Sequence, residues 1–124
     1  MMIYNKKLSV VPLTTHIEIK KITGKIQLNL IKKKIFTLNE SYYKLFKKKP
    51  KIIILGLNPH NSENRKNSIE NKIITPAVKI LNKLNINIKG PFPADTVFNN
   101  QKKLDYNINP FLDLTYFLGF KLQY

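Results

Sequence analysis

The stretch Lys51-Ile52-Ile53-Ile54-Leu55-Gly56-Leu57-Asn58-Pro59-His60 decides how this chain is read. Four consecutive aliphatic residues before a glycine show no alternation of polar and apolar positions, so neither face of such a strand meets water. That is the pattern of a strand inside a parallel sheet. Asn58-Pro59 ends it in a turn, since proline fixes its own φ and pushes the residue before it out of the helical region. His60 then stands just past the carboxyl end of a strand, where open α/β sheets gather their chemistry.

Working outward, Leu8-Ser9-Val10-Val11-Pro12-Leu13 reads as a second short apolar strand, its proline suited to an edge or an end. It leads into Thr14-Thr15-His16, which holds the other of the chain's 2 histidines. Between the two strands, Ile22, Ile26, Leu30, Ile31, Ile35, Leu38, Tyr42, Leu45 and Phe46 recur every three or four residues, the stripe of one or two amphipathic helices. Gly24 is expected near a helix boundary. Downstream, Ser68 is placed to cap a helix that buries Ile69, Ile73, Ile74, Val78, Ile80, Leu81 and Leu84, with a kink at Pro76. A short strand over Ile86–Ile88 precedes a loop, Gly90-Pro91-Phe92-Pro93-Ala94-Asp95-Thr96.

This alternation predicts an α/β fold: a partial parallel or mixed sheet with flanking helices, its parallel neighbours joined by crossovers. His16, His60 and Asp95 would all follow carboxyl ends of strands. Read alone, each histidine suits a hydrogen-bonded structural imidazole as well as a metal ligand, and Asp95 suits a turn cap as well as a reacting group.

Composition bounds the alternatives. At 124 residues the chain fills one ordinary domain and is too short for a two-lobed dehydrogenase body. It has no cysteine, which excludes disulfides and thiolate metal sites. No apolar run approaches the roughly 20 residues of a membrane-spanning helix, and the start lacks a signal-peptide core, so a cytoplasmic protein is expected. The net charge of +15 raises a basic nucleic-acid-binding module as the alternative function. Against it, Arg65 is the one arginine among 22 basic residues, and arginine is what bidentate contacts to guanine and phosphate favour. Abundant lysine, asparagine and isoleucine together fit AT-rich coding, and the lysines run along the whole chain as solvated faces.

Thr14-Thr15-His16, Leu57-Asn58-Pro59-His60 and Gly90-Pro91-Phe92-Pro93-Ala94-Asp95-Thr96-Val97-Phe98, in this order and spacing, resemble the T-T-H, L-N-P-H and G-P-[LF]-P-A-D-T-x-F blocks of the 4-hydroxythreonine-4-phosphate dehydrogenases of pyridoxal phosphate biosynthesis. The resemblance covers about residues 5 to 100. It implies a fragment of an isocitrate/isopropylmalate-dehydrogenase-like fold, and a homodimeric enzyme that oxidises a phosphorylated small-molecule substrate with NAD before the keto acid loses carbon dioxide. It implies that His16 and His60 match two of three histidine ligands to a divalent metal such as zinc, magnesium or cobalt. Asp95 matches an acidic residue beside that site, a candidate for catalytic proton handling or for orienting a ligand.

Departures from the family pattern set further expectations. The third metal histidine belongs to a Y-H-D-Q-G block, and no histidine occurs from Asn99 to Tyr124. Residues 1–106 are therefore read as a partial α/β lobe matching the central part of the dehydrogenase, and 107–124 as a divergent tail such as a frameshift would produce. The family's A-G-E-x-G after the second histidine is here Asn61-Ser62-Glu63-Asn64-Arg65, which keeps only Glu63. The expectation is a copy truncated at both ends and inactive by itself, unless another chain supplies the missing lobe.

Overall fold

The aliphatic run forms a strand, Ile52–Leu55, with every residue buried. In the computed structural model, which describes residues 3–4, 9–58, 65–93 and 111–113, it lies inside a five-stranded sheet. The elements in chain order are β1 (Ile3–Tyr4), β2 (Ser9–Pro12), α1 (Ile19–Lys25), α2 (Leu28–Phe46), β3 (Ile52–Leu55), α3 (Thr75–Lys83), β4 (Ile88–Phe92) and β5 (Phe111–Asp113). The strand order is β1-β2-β5-β3-β4. β1 runs antiparallel to β2, and all other pairings are parallel. The expected α/β class is observed, and β2, β3, β4 and β5 present their carboxyl ends at one end of the sheet.

Side chains alternate across β3. Ile52 and Ile54 join the main core with Val11, Leu13 and Ile88, while Ile53 and Leu55 point to the opposite face and are buried as well. The continuous apolar run thus reflects a strand covered on both sides. α2 presents Ile31, Ile35, Leu38 and Tyr42 to the protein interior at helical spacing. Leu45, also in the periodic stripe, is 69 % exposed, because it stands near the helix end past the last buried turn. Phe46 packs on Tyr42 with ring centroids 4.6 Å apart. The helical stretch divides at Ile26 and Gln27, whose extended backbone separates α1 from α2, so Gly24 does fall near a boundary.

The third helical stretch begins as expected at Ser68, whose Oγ accepts from the Asn71 N–H at 3.2 Å. Pro76 acts differently from a simple kink. The residues ahead of it, Glu70–Ile74, take wide π-type turns, with the Thr75 N–H reaching back to the Glu70 carbonyl. Since proline has no N–H for the ladder, the helix widens before it and resumes as α3. Ile74, Ala77, Val78 and Leu81 are buried; Ile69, Ile73 and Ile80 are half-buried. Leu84, expected on the buried side, is exposed because α3 ends at Lys83. Asn85, at φ 60°, turns the chain back toward the sheet, and the Ile86 N–H closes on the Leu81 carbonyl.

The last predicted strand is corrected. The sequence pattern predicts it over Ile86–Ile88 with a loop after it, but β4 runs from Ile88 through Gly90-Pro91 to Phe92. The register runs Ile53↔Lys89 and then Leu55↔Phe92, so two residues of β4 lie opposite Ile54. This bulge absorbs the extra residue, and β4 ends the strand order, where proline is tolerated. The segment beyond residue 106 contributes β5, which pairs with both β2 and β3.

Candidate functional site

The site is built where parallel strands end. β2 stops at Pro12, and Leu13 and Thr14 are buried before the chain emerges through Thr15 to an exposed His16. His16 has φ 55°, in the left-handed region. Among the described residues two other non-glycine positions share this conformation, Lys47 and Asn85, and both end helices, where left-handed caps are common. His16 follows a strand and caps nothing. A non-glycine residue held there costs on the order of 1–3 kcal/mol, and such outliers cluster at functional sites.

β3 leads through buried Gly56 and Leu57 to Asn58. The Gly56 N–H donates to the Phe92 carbonyl at 2.9 Å, which ties the ends of β3 and β4 together; in the sequence, β3 is followed by His60 and β4 by Asp95. His60 and Asp95 themselves, with Pro59 and the segment Asn61–Asn64, lie outside the described residues. Among the described residues no group of three or more histidines or carboxylates gathers.

Sequence reasoning passed over Glu70. Its side chain is fully buried at 0 % exposure. Oε1 accepts from the Asn58 backbone N–H at 2.8 Å and from the Asn58 Nδ2 at 3.2 Å, and Oε2 lies 3.3 Å from the same Nδ2. These bonds offset the desolvation that burying a carboxylate brings. A signal was present in the sequence: Glu70 is in helical phase with Ile74, Ala77 and Leu81, all fully buried. A charged residue on an apolar stripe needs a partner, and the partner is the asparagine of the Leu-Asn-Pro-His block.

A separate cavity of about 420 Å³ opens between β2 and α2, lined largely by Val11, Leu30, Leu38, Tyr42 and Leu45. His16 is not among its lining residues.

The family model for the pyridoxal phosphate biosynthetic protein PdxA matches residues 1–110. The chain belongs to this family. It is 40 % identical over 115 residues to the 4-hydroxythreonine-4-phosphate dehydrogenase of Sulfurihydrogenibium sp. strain YO3AOP1, a match covering 91 % of this chain and 36 % of that protein. The crystal structure of the Klebsiella pneumoniae 4-hydroxythreonine-4-phosphate dehydrogenase superposes with a TM-score of 0.77 at 28 % identity, over 91 % of this chain and 36 % of that one. The Burkholderia phymatum enzyme gives 0.76 at 32 % identity, with the same coverage. The chain therefore spans about a third of the length of these PdxA relatives. The described residues contain no helix long and apolar enough to cross a membrane. Membership of a family of biosynthetic oxidoreductases accounts for the motifs, and the nucleic-acid alternative finds no support.

Proposed function

We propose that this chain carries the metal-binding segment of an NAD-dependent dehydrogenase that oxidises and decarboxylates 4-hydroxythreonine 4-phosphate. The observation that carries this reading is His16, an exposed imidazole in a left-handed conformation just past the carboxyl end of a parallel strand. The donor set suits a divalent cation, since neutral imidazoles are common ligands of zinc and its neighbours in the first transition row. His16 and His60 would hold the ion. A cation bound there supplies Lewis-acid polarisation of a substrate hydroxyl and of the enolate oxygen that develops on decarboxylation.

The roles of this chain's own residues follow. His16 offers a ring nitrogen from an exposed position. His60, two residues after Asn58 in the sequence, offers the second, and Asp95 takes or returns a proton, or orients a ligand. The lysine-rich surface favours approach of a phosphorylated, anionic substrate. NAD is carried over from the family and is assigned to no residue here, as are a homodimeric assembly and a cytoplasmic location. With 2 histidines in 124 residues, the chain furnishes two of the family's three metal imidazoles. The third must come from elsewhere, and the chain by itself is proposed to be inactive as a dehydrogenase.

Calorimetric titration with Co²⁺ tests the reading. The unsubstituted chain is expected to bind with a stoichiometry near one. His16→Ala and His60→Ala should each weaken binding by more than about tenfold, the lower end of what even the loss of an outer partner produces. Equal binding by all three proteins, or none by the unsubstituted chain, would overturn it.

A further inference from the structure

We propose that Glu70 is a positioning residue, holding Asn58 at the end of β3, the residue from which the sequence continues through Pro59 to His60. The inference rests on the reading of His60 as a metal ligand, but it makes a separate statement about how the protein builds that block.

The geometry is specific. A carboxylate has acceptor sites for about four hydrogen bonds, and among the described residues the side-chain hydrogen bonds of Glu70 go to Asn58. One fixes the Asn58 backbone and the other two fix its side chain, so both the peptide plane and the side-chain rotamer of Asn58 are set by a single buried group. Glu70 is held firmly in turn. It opens the π-type segment Glu70–Ile74, is fully buried, and stands in phase with the fully buried Ile74, Ala77 and Leu81. Ser68 anchors the start of that segment through the Asn71 N–H, and the Asn71 Nδ2 donates to the Arg65 carbonyl at 2.8 Å. Both ends of the stretch between Asn58 and Arg65 are thus tied to the same helix start.

The π-type widening ahead of Pro76 begins at Glu70, where the helix meets the end of β3. A carboxylate is a costly means of closing a turn, since an apolar residue would bury more easily on this stripe; its use makes sense where the orientation of Asn58 matters.

The test compares Glu70→Ala and Glu70→Gln in the metal-free chain by NMR. Loss of the acceptor in Glu70→Ala should speed Asn58 amide exchange by at least about tenfold and shift or broaden the ring signals of His60, while amides of Ile54 and Leu81 keep their protection. Glu70→Gln retains a carbonyl acceptor and, with the Asn58 amide turned over, a matching donor. It should restore both signals to within a few-fold of the original. Asn58→Ala, which removes only the side-chain contacts, gives the same comparison should Glu70→Ala fail to fold; it should disturb the His60 ring while leaving the backbone bond protected.

Unchanged His60 ring signals in Glu70→Ala, or in Asn58→Ala if that protein stands in, would overturn the inference and leave Glu70 a structural residue. Co²⁺ titration of the same proteins should show affinity about 10- to 100-fold lower in Glu70→Ala, with recovery in Glu70→Gln. Equal Co²⁺ affinity in Glu70→Ala and the unsubstituted chain would also overturn it. If the unsubstituted chain binds no Co²⁺, the metal reading fails, and the ring signals still decide the role of Glu70.

Discussion

Gly90→Ala should be among the most damaging single-methyl additions to this protein. A Cβ at Gly90 would sit 2.3 Å from the carbonyl oxygen of Ile54 and 2.8 Å from its Cγ2, and the backbone there has φ +130°. The first contact falls roughly an ångström short of ordinary van der Waals separation. Its partner cannot swing aside, because it is main chain in β3, hydrogen-bonded on both sides of the strand to β4 and β5. Holding a side-chain-bearing residue at that φ costs on the order of 1–3 kcal/mol, and overpacking adds about 1–3 kcal/mol more, so the loss should be about 4 kcal/mol. Against a total stability of about 5–15 kcal/mol for a small domain, this approaches unfolding. Urea titration followed by circular dichroism measures it: at about 2 kcal/mol per molar, the midpoint should fall by about 2 M. Gly24→Ala is the control, since nothing lies within 4 Å of a Cβ there and the residue is helical, so it should hold or raise the midpoint by up to about 1 kcal/mol equivalent. A Gly90→Ala midpoint within about 0.3 M of the original would refute the claim that β4 closes on β3 through a bulge needing glycine.

The same titration checks two further substitutions. Ser68→Ala removes the acceptor for the Asn71 N–H and should lower stability by about 1 kcal/mol, seen as a midpoint shift with unchanged slope. Ile35→Ala empties a fully buried position of α2 and should cost about 2–5 kcal/mol, whereas Leu45→Ala, at 69 % exposure, should stay within about 0.5 kcal/mol of the original.

The fold was legible where one physical rule dominates a segment. A strand buried on both faces must be aliphatic throughout, so Ile52–Leu55 announced its place in a parallel sheet. The α2 stripe did likewise through Ile31, Ile35, Leu38 and Tyr42, because a helix packed on one side repeats every three or four residues. Misreadings arose where two rules compete. Gly90-Pro91 has the composition of a loop, yet it is strand, since an outermost position and a bulge remove the usual objections to both residues. Pro76 has the composition of a kink, and the helix answers it upstream by widening over Glu70–Ile74.

The candidate site divides along the same line. Thr14-Thr15-His16 and Leu57-Asn58-Pro59-His60 stand out because histidine is rare in this chain and both blocks follow strands. Glu70 did not stand out, because its meaning depends on a contact across the fold to Asn58. In a chain of net charge +15, one acidic residue on a helix reads as a surface group until its phase is compared with that of its neighbours. That comparison puts Glu70 on the stripe of Ile74, Ala77 and Leu81, and a carboxylate held there requires a hydrogen-bond donor from another element. Asn58 supplies that donor from the block containing His60. The candidate ligands are therefore announced by residue type and strand position, whereas Glu70, which holds Asn58, is announced only by being the wrong type for its position.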